Sequence, residues 1–144
     1  MKHNTIIKEK INELTSYFHG HGDIATVYLF GSYGTELYDP ERSDIDLAII
    51  YSRDLTLKEE MLIDAEITLI FESDNADVVN LNKARVDISY QVLATGKLIY
   101  ERDKIITADF VENVLKHYFD HGLALEEIKA DTYEVIKEDA NSYD

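Results

Sequence analysis

Two apolar runs, each carrying chemistry at one end, constrain this chain more than any other feature. The first, Ile24–Gly31, is rich in β-branched and aromatic residues and closes on Gly31-Ser32. The second opens on Ser43-Asp44-Ile45-Asp46 and continues through Leu47-Ala48-Ile49-Ile50-Tyr51 without a charge. Both read as strands. Side chains alternate faces along a strand, so Asp44 and Asp46 share one face with Ala48 and Ile50 and stand about 7 Å apart. Ile45, Leu47 and Ile49 take the other face. An Asp-x-Asp pair alone is common in solvated turns, and Gly-Ser alone is an ordinary turn. Aspartate is depleted from strands, however, and two at the mouth of a buried strand require a reason. Carboxylates on one rigid face, beside a Gly-Ser turn, form a seat for a divalent cation and a phosphate.

The remaining segments alternate helix and strand. Ile7, Ile11, Leu14 and Phe18 recur at helical spacing, predicting a helix over 5–19 that Gly20 and Gly22 stop. Residues 32–43 hold Gly34, Asp39 and the chain's one proline, Pro40, and read as a loop. Helices are expected over 57–72 and 84–94, with short strands at 77–81 and 98–101. Asp109-Phe110-Val111-Glu112 resembles a capping box and is expected to start a helix running towards Lys137. Its stripe of Val111, Leu115, Tyr118, Phe119, Leu125 and Ile128 is expected to be core. The resulting expectation is an α/β (α+β) domain over residues 1–138. It has a small mixed sheet of three or four strands with helices packed on one face, and a flexible tail at 139–144.

Composition narrows the function. With 29 acidic against 14 basic residues the net charge is -15, which argues against a broad nucleic-acid surface. The same balance favours small substrates brought in with metal, or a basic protein partner. Cysteine is absent, which excludes disulfides and thiolate metal sites. No apolar run approaches the ~18 residues of a membrane span, and the N-terminal segment lacks a signal peptide's apolar centre. A cytoplasmic protein is expected. His117 and His121 are four apart on an expected helix, but no glutamate lies between them and no third ligand follows, so they read as a surface or interface pair.

Phosphoryl or nucleotidyl transfer needs triphosphate charge neutralised and the attacking and leaving oxygens held in line. Two Mg²⁺ ions about 3.5–4 Å apart do both. Magnesium takes oxygen ligands, so carboxylates are the natural protein contribution. Asp44 and Asp46 could bridge two ions. Asp77, opening the next expected strand, is placed to complete one of them and orient the attacking hydroxyl. Gly31 permits close backbone approach, and the Ser32 amide and hydroxyl can bond phosphate oxygens.

In this order, Gly31-Ser32, Asp44-x-Asp46 and Asp77 resemble the signature of the DNA polymerase β-type nucleotidyltransferases. The short length, Asp77-Val78-Val79-Asn80-Leu81-Asn82 and Gly96-Lys97-Leu98-Ile99-Tyr100 resemble the minimal (MNT) branch of that superfamily. The resemblance implies a polymerase β-like fold and an antitoxin paired with a HEPN-domain ribonuclease toxin. It implies transfer of AMP from ATP onto a toxin tyrosine, with Gly31 and Ser32 holding the triphosphate. Asp44, Asp46 and Asp77 would be the catalytic metal ligands. Two other readings stay open: an antitoxin that neutralises by binding alone, and a small-molecule (antibiotic-type) nucleotidyltransferase. Where many relatives carry an arginine shortly after Gly-Ser, this chain has Gly34-Thr35-Glu36, which leaves Arg42, Lys83 and Arg85 as cations for the triphosphate.

Overall fold

The computed structural model describes residues 2–30, 45–71 and 76–120. Helix α1 (Lys2–Gly20) is followed by β1 (Ile24–Phe30), β2 (Ile45–Tyr51), α2 (Leu57–Phe71), β3 (Ala76–Asn80), α3 (Val86–Thr95) and β4 (Lys97–Glu101). Residues 104–120 form a further helix, α4. The strands lie in the order β3-β2-β1-β4. β1 is antiparallel to β2 and β4, whereas β2 and β3 run parallel. A parallel pair needs a long crossover, and α2 supplies it. The mixed four-stranded α+β architecture matches the expectation.

The faces of β2 sort as its alternation predicts. Leu47, Ile49 and Tyr51 join Leu14 and Phe18 of α1 and Ile63 and Ile67 of α2 in one core. Ala48 and Ile50 join Tyr28, Leu81 and Val92 in a second, with Ile106 and Phe110 of α4 packed against it. Helices therefore cover both faces of the sheet, which corrects the one-face expectation. The reason lies in β2, which is central and apolar on both sides, as strands buried on two faces are.

Helix ends show where local chemistry acts. The Thr56 hydroxyl accepts from the Glu59 amide (3.2 Å) and Glu59 Oε1 accepts from the Thr56 amide (3.0 Å), a capping box that starts α2. Arg53 bonds the same glutamate and grips Asp23 at the entry to β1 through two nitrogens (3.1 and 3.0 Å). The expected capping box at Asp109 is not used. Helix α4 begins five residues earlier, where Asp103 Oδ1 accepts from the Ile105 and Ile106 amides (2.9 and 3.4 Å). This earlier start directs Thr107 and Val114 inward, and Thr107 bonds the buried Thr26 hydroxyl at 2.6 Å. Of the stripe expected to be core, Val111, Leu115 and Tyr118 are half-buried and Phe119 is 58 % exposed. Leu125, Ile128, the run to Lys137 and the tail at 139–144 lie outside the described residues.

Candidate active site

Strands β2 and β3 fix the position of two expected carboxylates. Their parallel register pairs Asp46 with Asp77, Leu47 with Val78 and Ala48 with Val79. Neighbouring strands lie about 4.8 Å apart, and residues two apart point the same way. Asp46 and Asp77 thus share the face of Ala48 and Val79, side by side at the rim where both strands begin. Asp46 is half-buried and Asp77 exposed. On its other side Asp46 is opposite Phe30, the last residue of β1. Gly31 and Ser32 follow Phe30 in the sequence and Asp44 precedes Ile45; these three lie outside the described residues.

The donor set fits a hard cation. Magnesium is typically held by one or two carboxylates together with substrate phosphates rather than by an all-protein cage. Asp46 and Asp77 provide that pair from two adjacent strands. Among the described residues no group of three or more histidines and carboxylates comes together as a metal cage. His117, one of the two histidines set aside above, has its Nδ1 2.7 Å from the Asn113 carbonyl one helical turn back.

The far end of the same strand pair is pinned by Asn82. Its side chain accepts from the Tyr51 amide (2.9 Å) and donates to the Tyr51 carbonyl (3.0 Å), acting as an extra rung of the ladder. The Leu81 amide donates to the Ile49 carbonyl (2.9 Å), and Asn80 Oδ1 accepts from the Asn82 amide (2.9 Å). Nothing in the composition marks this role; the Asn80-Leu81-Asn82 spacing is its only trace.

A third carboxylate feels the charge of Asp77. Burial, and then the negative charges of Glu60 and Asp77, push the Asp64 carboxyl of α2 up to about 6 from an ordinary 3.8. Among the described residues, one of its oxygens, like the Tyr51 hydroxyl, is sealed from water without a hydrogen-bond partner. Burial also raises the Tyr51 hydroxyl, with Asp64 and Glu60 adding to the shift. Sequence reasoning missed Asp64, because nothing in its spacing ties it to Asp77. Two of the expected triphosphate cations have acidic partners: Lys83 meets Glu60 at 3.0 Å and Arg85 meets Asp87 at 3.0 Å. Arg42 lies outside the described residues.

The paired carboxylates thus stand at the opening rim of a mixed sheet. A family model described as "Polymerase beta, Nucleotidyltransferase" matches residues 12–105. The chain belongs to that family. No protein of curated function matches it. Solved structures do. A chain from the tri-AMPylated Shewanella oneidensis HEPN toxin in complex with MNT antitoxin has 21 % identity and a TM-score of 0.67, over 87 % of this chain and 97 % of its own. A chain from a toxin–antitoxin structure with AMP-PNP has 21 % identity and a TM-score of 0.69, over 85 % and 97 %. A third, from the toxin–antitoxin MntA-HepT, has 20 % identity and a TM-score of 0.66, over 87 % and 97 %. These likenesses establish a shared fold.

Proposed function

We propose that this chain is a Mg²⁺-dependent nucleotidyltransferase that moves AMP from ATP onto a tyrosine hydroxyl of a HEPN-domain ribonuclease, and so acts as its antitoxin. One observation carries the reading: Asp46 and Asp77 stand at the same register level on one face of the sheet, in a chain of the polymerase β family. Fold relatives in complexes with an AMPylated HEPN toxin and with AMP-PNP supply the acceptor and the nucleotide. In this reading residues 1–138 form one transferase domain. Among the described residues no helix is long and apolar enough to cross a membrane, and a reaction that draws on ATP favours a cytoplasmic setting.

The tyrosine hydroxyl gives up its proton, with Asp77 helping to draw it off to solvent, and its oxygen attacks the α-phosphorus: a new P–O bond forms, the α–β bridging bond breaks and pyrophosphate departs with the electron pair. Asp46 and Asp77, with Asp44, would hold the cations. Bound magnesium would neutralise triphosphate charge and favour the ionised acceptor. Asp77 would also orient the incoming hydroxyl from its place at the exposed edge strand. Gly31 and Ser32 would receive the phosphates through backbone and hydroxyl hydrogen bonds.

Incubation with Mg²⁺, ATP labelled at the α-phosphate and the cognate HEPN protein tests the reading. Label is expected on a toxin tyrosine with the wild type. Asp46→Asn or Asp77→Asn should lose it while retaining the fold by circular dichroism. Undiminished transfer by both variants would overturn the assignment of the pair. The acidic partners of Lys83 and Arg85 favour a second reading, neutralisation by binding alone. It predicts that Asp46→Asn protein still silences the ribonuclease with no label transferred.

A further inference from the structure

Helix α2 is apolar on two opposite sides, and among the described residues only one of them is packed. Ile63 and Ile67 are buried against the sheet. Leu57, Met61, Leu62 and Leu69 point away from it, 67, 61, 56 and 76 % exposed. At about 100° per residue these four fall within roughly 140° of the helix circumference, an arc in which Lys58 is the one charged residue. A helix apolar all round is normally buried. Contiguous exposed apolar surface with a polar rim marks an interaction site. Carboxylates border the arc: Glu66, which accepts from the Tyr17 hydroxyl, and Glu59, paired with Arg53, on one side, and Asp64 on the other.

We infer that this outer face of α2 docks the HEPN-domain protein, through an apolar patch on that partner ringed by lysine and arginine; the inference rests on the function proposed above. Charge selects the occupant. A second copy would bring the same acidic border and the same net charge of -15 against this one, and anionic lipid or nucleic acid would be repelled likewise. A basic partner is steered in by that field and loses little on desolvating the leucines. Position supports the choice. Helix α2 packs on the sheet face opposite the one that carries Asp46 and Asp77. It lies beside β3, the edge strand to which Asp77 belongs. A partner held on α2 leaves the transfer rim open and sits at the edge from which an acceptor tyrosine can reach it. Docking and transfer therefore become separable by mutation.

The test uses the full chain and its cognate HEPN protein. Leu62→Arg/Leu69→Arg should weaken the complex by roughly tenfold or more in calorimetry, since each arginine would bring an unpaired charge into a desolvated apolar contact. The same variant should keep its melting temperature and its stabilisation by Mg²⁺-ATP, because both side chains are solvent-facing. Leu62→Met/Leu69→Met should bind as the wild type does. Unchanged affinity of the arginine variant overturns the docking surface and leaves the proposed function standing. A wild type that dimerises, and becomes monomeric on the same substitution, overturns it in favour of a second copy. Failure of the wild type to bind the HEPN protein at all overturns both the surface and the reading beneath it.

Discussion

Replacing Asp64 by asparagine should stabilise the protein near neutral pH and flatten its response to pH. The carboxyl titrates at about 6 in the fold against 3.8 in the open chain. Between those values the folded state keeps a proton that the unfolded state has lost. Stability therefore falls as pH rises through this window and stays lower above it. Two pKa units correspond to about 3 kcal/mol if the group is fully removed from water. The residue as a whole is half-buried. Solvent screening of a half-buried carboxyl brings the expected gain to about 1 kcal/mol. For a domain of this size that is roughly 3 °C in melting temperature. Asparagine keeps the shape and brings an amide donor to a region where the Tyr51 hydroxyl lacks a partner. The assay is melting temperature by circular dichroism from about pH 4 to about pH 8, wild type against Asp64→Asn, without nucleotide. The two curves should meet at the acid end, draw apart between about pH 4 and about pH 6, and keep a constant separation above that with the variant on top. Parallel curves, or a variant that melts lower at neutral pH, would refute the view that the Asp64 carboxylate is held at a cost.

Gly96→Ala should destabilise by about 1–3 kcal/mol, because the added Cβ would stand 2.5 Å from the Val92 carbonyl oxygen that the Gly96 amide itself bonds at 2.7 Å. Gly20→Ala, with nothing within 4 Å, should leave urea midpoints unchanged or slightly raised. Asn82→Ala removes both bonds to Tyr51 and should cost about 1–2 kcal/mol in denaturant melts, with faster hydrogen exchange at the Tyr51 amide. Glu59 shows the opposite pH sign to Asp64. Its bonds from Arg53 and Thr56 lower it from 4.5 to about 2, so its contribution is complete above pH 4.5 and fades towards pH 2; Glu59→Gln should blunt that acid-side loss in a pH titration of stability.

Most of the site-bearing half of the fold is legible in the sequence because β2 states it directly. Its alternation assigns Leu47 and Ile49 to one core and Ala48 and Ile50 to the other, and the structure fills both. The start of α4 was not legible. Asp109 has a glutamate three residues on and Asp103 does not, yet Asp103 makes the cap and thereby directs Thr107 onto Thr26. Thr56-Leu57-Lys58-Glu59 carries a capping signal that the structure uses to start α2. Asp64 could not be found from spacing, because its surroundings come from burial and from a residue on another element. Of the expected site, the register places Asp46 beside Asp77; Gly31, Ser32 and Asp44 belong to segments outside the described residues.

The Asn82 side chain spans the end of the sheet farthest from the carboxylates, yet it bears on how they are aligned. A strand that slips by one residue against its neighbour turns every side chain to the opposite surface. Slippage of β3 along β2 would carry Asp77 away from Asp46 and set Val78 in its place. By holding both backbone groups of Tyr51, one amide at the closing end works as a vernier stop for the opening end. Substitutions there should disturb the alignment of two acids they never touch.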